Sequence, residues 1–305
     1  MSVVYKRLSD NAFLLPVLLL LLSPRAAAQT CSPDVAEAPD TAVIEYDPFL
    51  PGATVREIAF ALSNPSDEEC VIDLAILDGA EQPARVFPVP GTTMLLEVRP
   101  GDGERGLVPR TVPGVYRATL APTAVTRFVL DALVVQDAVP EAGSHRTPLT
   151  FELREPDQVA LVGDAWRSVV IVRSPPRAQL NITGASGSFG TGRTVSTVDF
   201  GAAETGATRR IFLQVRANTP SQIVVESANG GVLRRTSDAD RTPPIPYEVA
   251  LDGTVIDLSS MVVVPRDPPR TVDGESISMD FRLGTLGGQM AGRYEDEVTI
   301  EFSPL

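Results

Sequence analysis

The sequence predicts an all-β chain arranged as two sandwich- or barrel-like units in tandem. Short runs rich in Val, Ile, Leu and Phe are punctuated by Pro, Gly, Asn and Asp along most of the chain. No stretch keeps a convincing helical period. Segment 44–64 recurs as 198–218: Glu45-Tyr46, Gly52-Ala53-Thr54, Arg56 and Asn64 answer to Asp199-Phe200, Gly206-Ala207-Thr208, Arg210 and Asn218. A repeat this long exceeds a solenoid unit and fits two domains of roughly 100–150 residues each.

Taken in order, residues 1–28 read as a secretory signal peptide. Lys6 and Arg7 precede an apolar run at 12–22 that is shorter than the ~20 residues a spanning helix needs, and Ala26-Ala27-Ala28 offers small residues for cleavage. The expected product is exported through the Sec route, passing the periplasm on its way to the cell surface or medium. The formal net charge is −13, and removal of the leader's three cations against one anion makes the remainder more acidic still. Nucleic acid is therefore not an expected partner. Lys6 is the only lysine, so every later cation is arginine. The two cysteines, Cys31 and Cys70, are expected to pair in an oxidising compartment and to pin the N-terminal segment to the first unit.

In the first unit, 29–156, strands are expected at 57–62, 70–77, 94–98, 115–120, 127–135 and 149–153. A linker is expected at 157–176, where 169–172 can pack on either side. The second unit, 177–305, is expected to hold strands at 179–183, 197–200, 211–215, 222–227, 231–236, 247–251, 260–264, 278–283 and 297–302. Within them Ile211, Leu213 and Val215 face opposite to Phe212, Gln214 and Arg216. Val298, Ile300 and Phe302 likewise face opposite to Glu297, Thr299 and Glu301. Asn229-Gly230-Gly231 and Asp252-Gly253 are hairpin signals, because Asn, Asp and Gly tolerate the positive φ of tight turns. The glycine-rich stretch 184–193 reads as a loop.

Chemistry is sparse. The single histidine, His145, falls in a loop-like context, so no multi-histidine metal site can be assembled, and Ser144 beside it lacks a nucleophile elbow. Gly187 to Thr194 carries arginine where a phosphate loop needs lysine, and no helix follows. Asn181-Ile182-Thr183 matches a short glycosylation sequon that sits in an expected strand. No catalytic residue, cofactor or metal is expected, and the chain does not read as an enzyme.

The run Gly292-Arg293-Tyr294-Glu295-Asp296-Glu297-Val298-Thr299-Ile300-Glu301-Phe302 resembles the closing strand of bacterial pilus subunits, with the pattern Gly-x-Tyr-x-Asp-x-Val-Thr. With Val198-Asp199-Phe200-Gly201, Arg235 and Pro246 to Gly253, segment 179–305 is similar to the spore coat U domain of secreted proteins and of archaic, Csu-type chaperone-usher pilins. The first unit is a fainter copy. The resemblance implies immunoglobulin-like sandwiches, the second lacking its last strand and closed by Gly292, Tyr294, Asp296, Val298, Ile300 and Phe302. It further implies a periplasmic chaperone, an outer-membrane usher and an adjacent subunit that donates a strand. The second unit departs from the family in having no cysteine pair.

Residues 29–40 are acidic, carry two prolines and include Cys31, which makes them a poor donor strand. Two units without a donor segment resemble a tip adhesin, binding an abiotic or host surface and supporting biofilm. Phe49, Leu50, Val86, Phe87 and Val89, in proline-stiffened stretches, are then candidates for surface contact, Phe49 and Phe87 having the alternative of capping the sandwich core. The alternative is a freestanding secreted or periplasmic binding protein with both sandwiches complete and both groove edges covered by its own chain, for which 169–172 is a candidate.

Overall fold

The computed structural model describes residues 31–39, 41–50, 52–135, 138–182, 189, 195–237 and 242–305. The expected signal peptide and, apart from Phe189, the glycine-rich stretch 184–193 lie outside the described residues. Two immunoglobulin-like sandwiches follow one another, without a helix among the described residues. The first contains β1 (Asp34–Glu37), β2 (Ala42–Glu45), β3 (Thr54–Ser63), β4 (Cys70–Leu77), β5 (Val86–Pro88), β6 (Leu95–Pro100), β7 (Leu107–Pro109), β8 (Val115–Leu120), β9 (Val125–Val135), β10 (Gly143–Arg154) and β11 (Trp166–Ser174). One sheet has the order β1-β3-β9-β6-β5 and the other β2-β11-β10-β4-β8-β7.

Alternation places Ile58, Phe60 and Leu62 of β3 against Phe128, Leu130 and Ala132 of β9, and both rows against Ile72, Leu74 and Ile76 of β4 and Leu149, Phe151 and Leu153 of β10. Phe60, Phe128, Phe151 and Trp166 stack at centroid distances of 5.4 to 6.3 Å. Cys31 and Cys70 form a disulfide, as expected, joining the segment before β1 to the start of β4.

The second sandwich contains β12 (Ala178–Ile182), β13 (Thr208–Ala217), β14 (Ser221–Ser227), β15 (Val232–Arg235), β16 (Ile245–Leu251), β17 (Thr254–Ile256), β18 (Val262–Arg266), β19 (Glu275–Leu283), β20 (Tyr294–Glu295) and β21 (Val298–Pro304). Its larger sheet runs β12-β13-β19-β16-β15-β20 with β17 beside β16, and its smaller one β18-β14-β21. The core is separate from the first and smaller, built on Leu213, Val215, Ile223, Val225, Val249, Ile277 and Met279. Asp252-Gly253 closes the β16–β17 hairpin with φ of 53° and 77°.

The repeat has a structural cause. β3 and β13 occupy its equivalent positions, each ending just before a buried asparagine. Asn64 Nδ2 donates to the carbonyls of Glu68, Leu120 and Ala121, and its Oδ1 accepts from Ser66 N. Asn218 Nδ2 donates to Ser174 Oγ and Pro175 O, and its Oδ1 accepts from Arg177 N at 2.7 Å. The second copy thus ties the sandwiches together, reinforced by Ala142 N donating to Asn218 O and by the Arg177–Asp47 and Arg270–Glu141 ion pairs. Residues 31–305 form one compact unit.

Four expectations change. The stretch 157–176 is not a plain linker, because β11 lies within it and pairs with β10 and, in parallel, with β2. His145 sits in β10 rather than in a loop, with Nε2 2.9 Å from Glu141 O. Asn229-Gly230-Gly231 makes a turn with φ of 69° and 79° at the glycines, but not a hairpin: β14 pairs with β18 and β21 while β15 pairs with β16 and β20, so the turn crosses between sheets. Segment 197–200 is not a strand, for a reason given below.

The only tryptophan in the sequence, Trp166, packs in the first core and so reports that sandwich alone. Replacing both Cys31 and Cys70 by Ser removes a closure across a sequence separation of 39 residues, and loop-closure entropy puts the loss near 4 kcal/mol. Urea unfolding followed by Trp166 fluorescence is expected to show a midpoint lowered accordingly.

Candidate functional site: an uncovered strand position in the second sandwich

The two sandwiches match strand for strand around β3 and β13, and this makes the first a template for the second. In the first, β4 pairs with β10, β10 with β11, and β11 with β2. In the second, β14 answers to β4 and β21 to β10. Among the described residues no strand answers to β11, so the outer edge of β21 has no ladder partner. The consequence extends further. β2 is a strand only through its parallel pairing with β11, and Tyr46 N next to it donates to Arg173 O at 2.8 Å. Its repeat counterpart, around Val198-Asp199-Phe200, has the same alternating side chains but no such neighbour, and is not a strand.

The side chains around this position show the same difference. β11 contributes Val170 and Val172 to the first core, both fully buried, opposite Thr147 and His145 of β10. At the corresponding place Val298, Ile300 and Phe302 of β21, Leu180 and Ile182 of β12, and Val198 and Phe200 are only partly buried against the second core. β12 and β21 approach within 8 Å at Cα without pairing. The result is a slot marked by an unpaired strand edge and a partly buried apolar row, features that an added strand with alternating apolar side chains would cover.

β21 is positioned by Asp296. Its Oδ2 accepts from Tyr247 Oη at 2.5 Å and Ser227 Oγ at 2.6 Å, and its Oδ1 accepts from Asn229 N at 3.0 Å. One carboxylate therefore fastens β14, the sheet-crossing turn and β16 to the start of β21. Burial first, and the adjacent carboxylate second, push the Tyr247 hydroxyl well above the usual tyrosine range. Tyr294 Oη donates to Met290 O, and Gly292 leaves space for the Arg235 side chain, which lies 2.5 Å from where a Cβ would stand. Of the six closing-strand residues, Gly292, Tyr294 and Asp296 thus belong to the anchor, and Val298, Ile300 and Phe302 to the slot.

The five candidates for surface contact separate differently. Phe87 and Val89 are 2% and 1% exposed and fill the first core, because Met94, Leu96 and the turn at 89–94 fold over them; neither can meet a surface in this fold. Phe49 is 7% exposed and lies under the Arg216 guanidinium, 4.6 Å from the ring centroid, at the junction of the sandwiches. Leu50 and Val86 remain exposed. Among the described residues no group of His, Cys, Asp and Glu can hold a metal ion.

No family model matches the sequence, and no curated protein matches it. Among solved structures, the chain is similar to the CsuC–CsuE chaperone–tip adhesion subunit pre-assembly complex from archaic chaperone-usher Csu pili of Acinetobacter baumannii. The identity is 9%, covering 88% of this chain and 99% of that one, with a TM-score of 0.43. CfaE, the adhesive subunit of CFA/I fimbria of enterotoxigenic Escherichia coli, is 11% identical over 88% of this chain and 93% of that one, with a TM-score of 0.39. The CupB6 tip adhesin of Pseudomonas aeruginosa is 14% identical over 89% and 94%, with a TM-score of 0.33. At these identities and TM-scores the likeness carries no weight of its own for function.

The Tyr247–Asp296 contact predicts a pH dependence. Folded Tyr247 holds its proton above the ordinary value of 10.0, so its contribution is complete below that pH. It declines as pH rises further, because the unfolded chain ionises first, by roughly 1.4 kcal/mol per unit. Tyr247→Phe is expected to lower stability by about 1–2 kcal/mol at neutral pH, through the donor lost to Asp296. The two stability curves then converge above pH 10 in urea titrations followed by circular dichroism; parallel curves would contradict the assignment.

Proposed function

We propose that the chain is the adhesive tip subunit of a chaperone-usher pilus, and that the slot beside β21 is filled by an extended strand from another polypeptide. The observation that carries this reading is internal: β11 completes the first sandwich, and β21 has no equivalent neighbour among the described residues. The Gly292 to Phe302 pattern supports it. A periplasmic chaperone fills the slot in transit, an outer-membrane usher receives the complex, and the adjacent pilin supplies the final strand. Each step covers the same edge and apolar floor, which if left open promotes edge-to-edge aggregation.

The tip position is supported by the other end. Cys31 is bonded to Cys70 and Asp34–Glu37 is paired with β3 as β1. This segment is committed to its own sandwich and is not free to complete a neighbour. The first sandwich, with its core closed and disulfide-bonded, is the part that contacts an abiotic or host surface and supports biofilm formation. For the rival reading, a freestanding binding protein, the slot needs a cover from this chain. Segment 169–172, the candidate cover, lies between β10 and β2 and so covers the first sandwich and not the second.

Expression in a periplasm with and without the chaperone encoded beside it tests the proposal. The expected outcome is a stoichiometric complex with the chaperone, and aggregation or proteolysis without it. Ile300→Asp, placed on the slot floor, is expected to abolish co-purification while leaving the Trp166 unfolding transition in place. A stable monomer that melts cooperatively and captures no chaperone would favour the freestanding binding protein.

A further inference from the structure

We propose that a cleft at the edge of the first sandwich binds an acidic sugar, a saccharide carrying a carboxylate or a sulfate. The cleft has a volume of about 520 Å³ and lies between the end of β6, the β6–β7 connection and the β7–β8 hairpin. That is the size range of small-ligand sites. Three arginines line it, Arg85, Arg99 and Arg110, in a chain whose formal net charge is −13.

Their pairing differs. Arg85 is held by Glu97, and Arg110 by Asp157. Arg99 has a buried Nε without a hydrogen-bond partner, and it forms no ion pair among the described residues. A guanidinium carries five donors in a planar fork suited to a carboxylate or sulfate. The Nε itself is occluded, so an anion in the cleft meets this guanidinium through its terminal nitrogens, which form no ion pair with a described residue. The arginines already engaged retain further donors on their other nitrogens.

The same cleft contains acceptors, and these select a sugar over a bare anion. Asp102 is exposed at the rim and its carboxylate is available to ligand hydroxyls, while its backbone N donates to Asp131 Oδ2. Glu104 is already spent on the loop, accepting from Gly106 N and Val129 N. A sulfate ion, which has no hydroxyl to donate at neutral pH, offers Asp102 nothing but repulsion. An acidic sugar offers it hydroxyl donors and offers Arg99 an anion.

The walls are preformed. Gly114, at φ 78°, is wedged against Ala84, where a Cβ would lie 2.1 Å from the backbone oxygen. Gly101 is seated against Val129 and the Asp131 carboxylate, where a Cβ would come within 3.1 Å. A side chain at Gly114 would push the hairpin off Ala84, and one at Gly101 would press the β6–β7 connection against β9. Ligand binding therefore requires little ordering of the chain.

Titration calorimetry on the full secreted chain at low salt tests this with trigalacturonate, a heparin-derived disaccharide and maltotriose. At least one acidic probe is expected to bind, with maltotriose at least about tenfold weaker. Arg99→Gln is expected to weaken the acidic probe about tenfold or more, and Arg210→Gln, on the far sandwich, to leave it unchanged. Val112→Trp, at an exposed cleft position, is expected to block binding without altering charge, and serves if Arg99→Gln does not fold. Tighter trigalacturonate identifies a carboxylate as the recognised group, and a tighter heparin disaccharide a sulfate. No binding at millimolar concentration, equal binding of maltotriose, or acidic-probe affinity unchanged in both Arg99→Gln and Val112→Trp would overturn the proposal.

Discussion

A β-strand edge needs a partner, and the position next to β10 and β21 decides the state of each sandwich. Where β11 occupies it, three things follow together: β10 is paired on both sides, β2 becomes a strand, and the apolar row of β10 disappears from solvent. Where no described strand occupies it, β21 has an unpaired edge, the counterpart of β2 is irregular, and its apolar row is only partly buried. The side chains that would face the missing strand alternate in both sandwiches. The difference lies in the ladder and not in the pattern of the flanking segments.

This constraint also explains how the two sandwiches are stabilised. The first has the disulfide, the aromatic stack of Phe60, Phe128, Phe151 and Trp166, and the larger core. The second has no cysteine and relies on polar fastenings, above all Asp296 gathering Tyr247, Ser227 and Asn229. A carboxylate that accepts several hydrogen bonds can fix β21 in register where the missing neighbour cannot, since the ladder with β14 covers only one side. Asn218 then links the two, so that the second sandwich is supported from the first at one end and uncovered along one edge.

Much of this was legible in the sequence, and for physical reasons. Long alternating runs such as those of β9, β13 and β19 announce themselves because each buries one face. The repeat was visible because both copies need the same features: a positive-φ glycine before the strand, and an asparagine at its end to satisfy backbone carbonyls. The short strands β1, β2, β5 and β7 were not visible. Each is three or four residues long, β1 is half acidic and β5 and β7 end in proline, and β2 pairs only with β11, so all four exist through tertiary pairing rather than local preference. The error over 197–200 has the same origin, since an apolar alternation cannot say whether a partner is present.

The site residues divide along the same line. Val298, Ile300 and Phe302 could be read from alternation at a strand that resembles a known closing strand, whereas the division of labour with Asp296 could not, because Tyr247 and Ser227 approach it from distant segments. A proline-rich stretch looks like an exposed loop, which makes Val86 to Val89 resemble a contact surface, whereas β5 pairs with β6 and turns Phe87 inward, the core-capping alternative. Arg99 gives no sequence signal at all: it alternates outward from β6 like any solvent-facing residue. Only the approach of the β7–β8 hairpin, permitted by a glycine against Ala84, turns that outward position into the wall of a cleft.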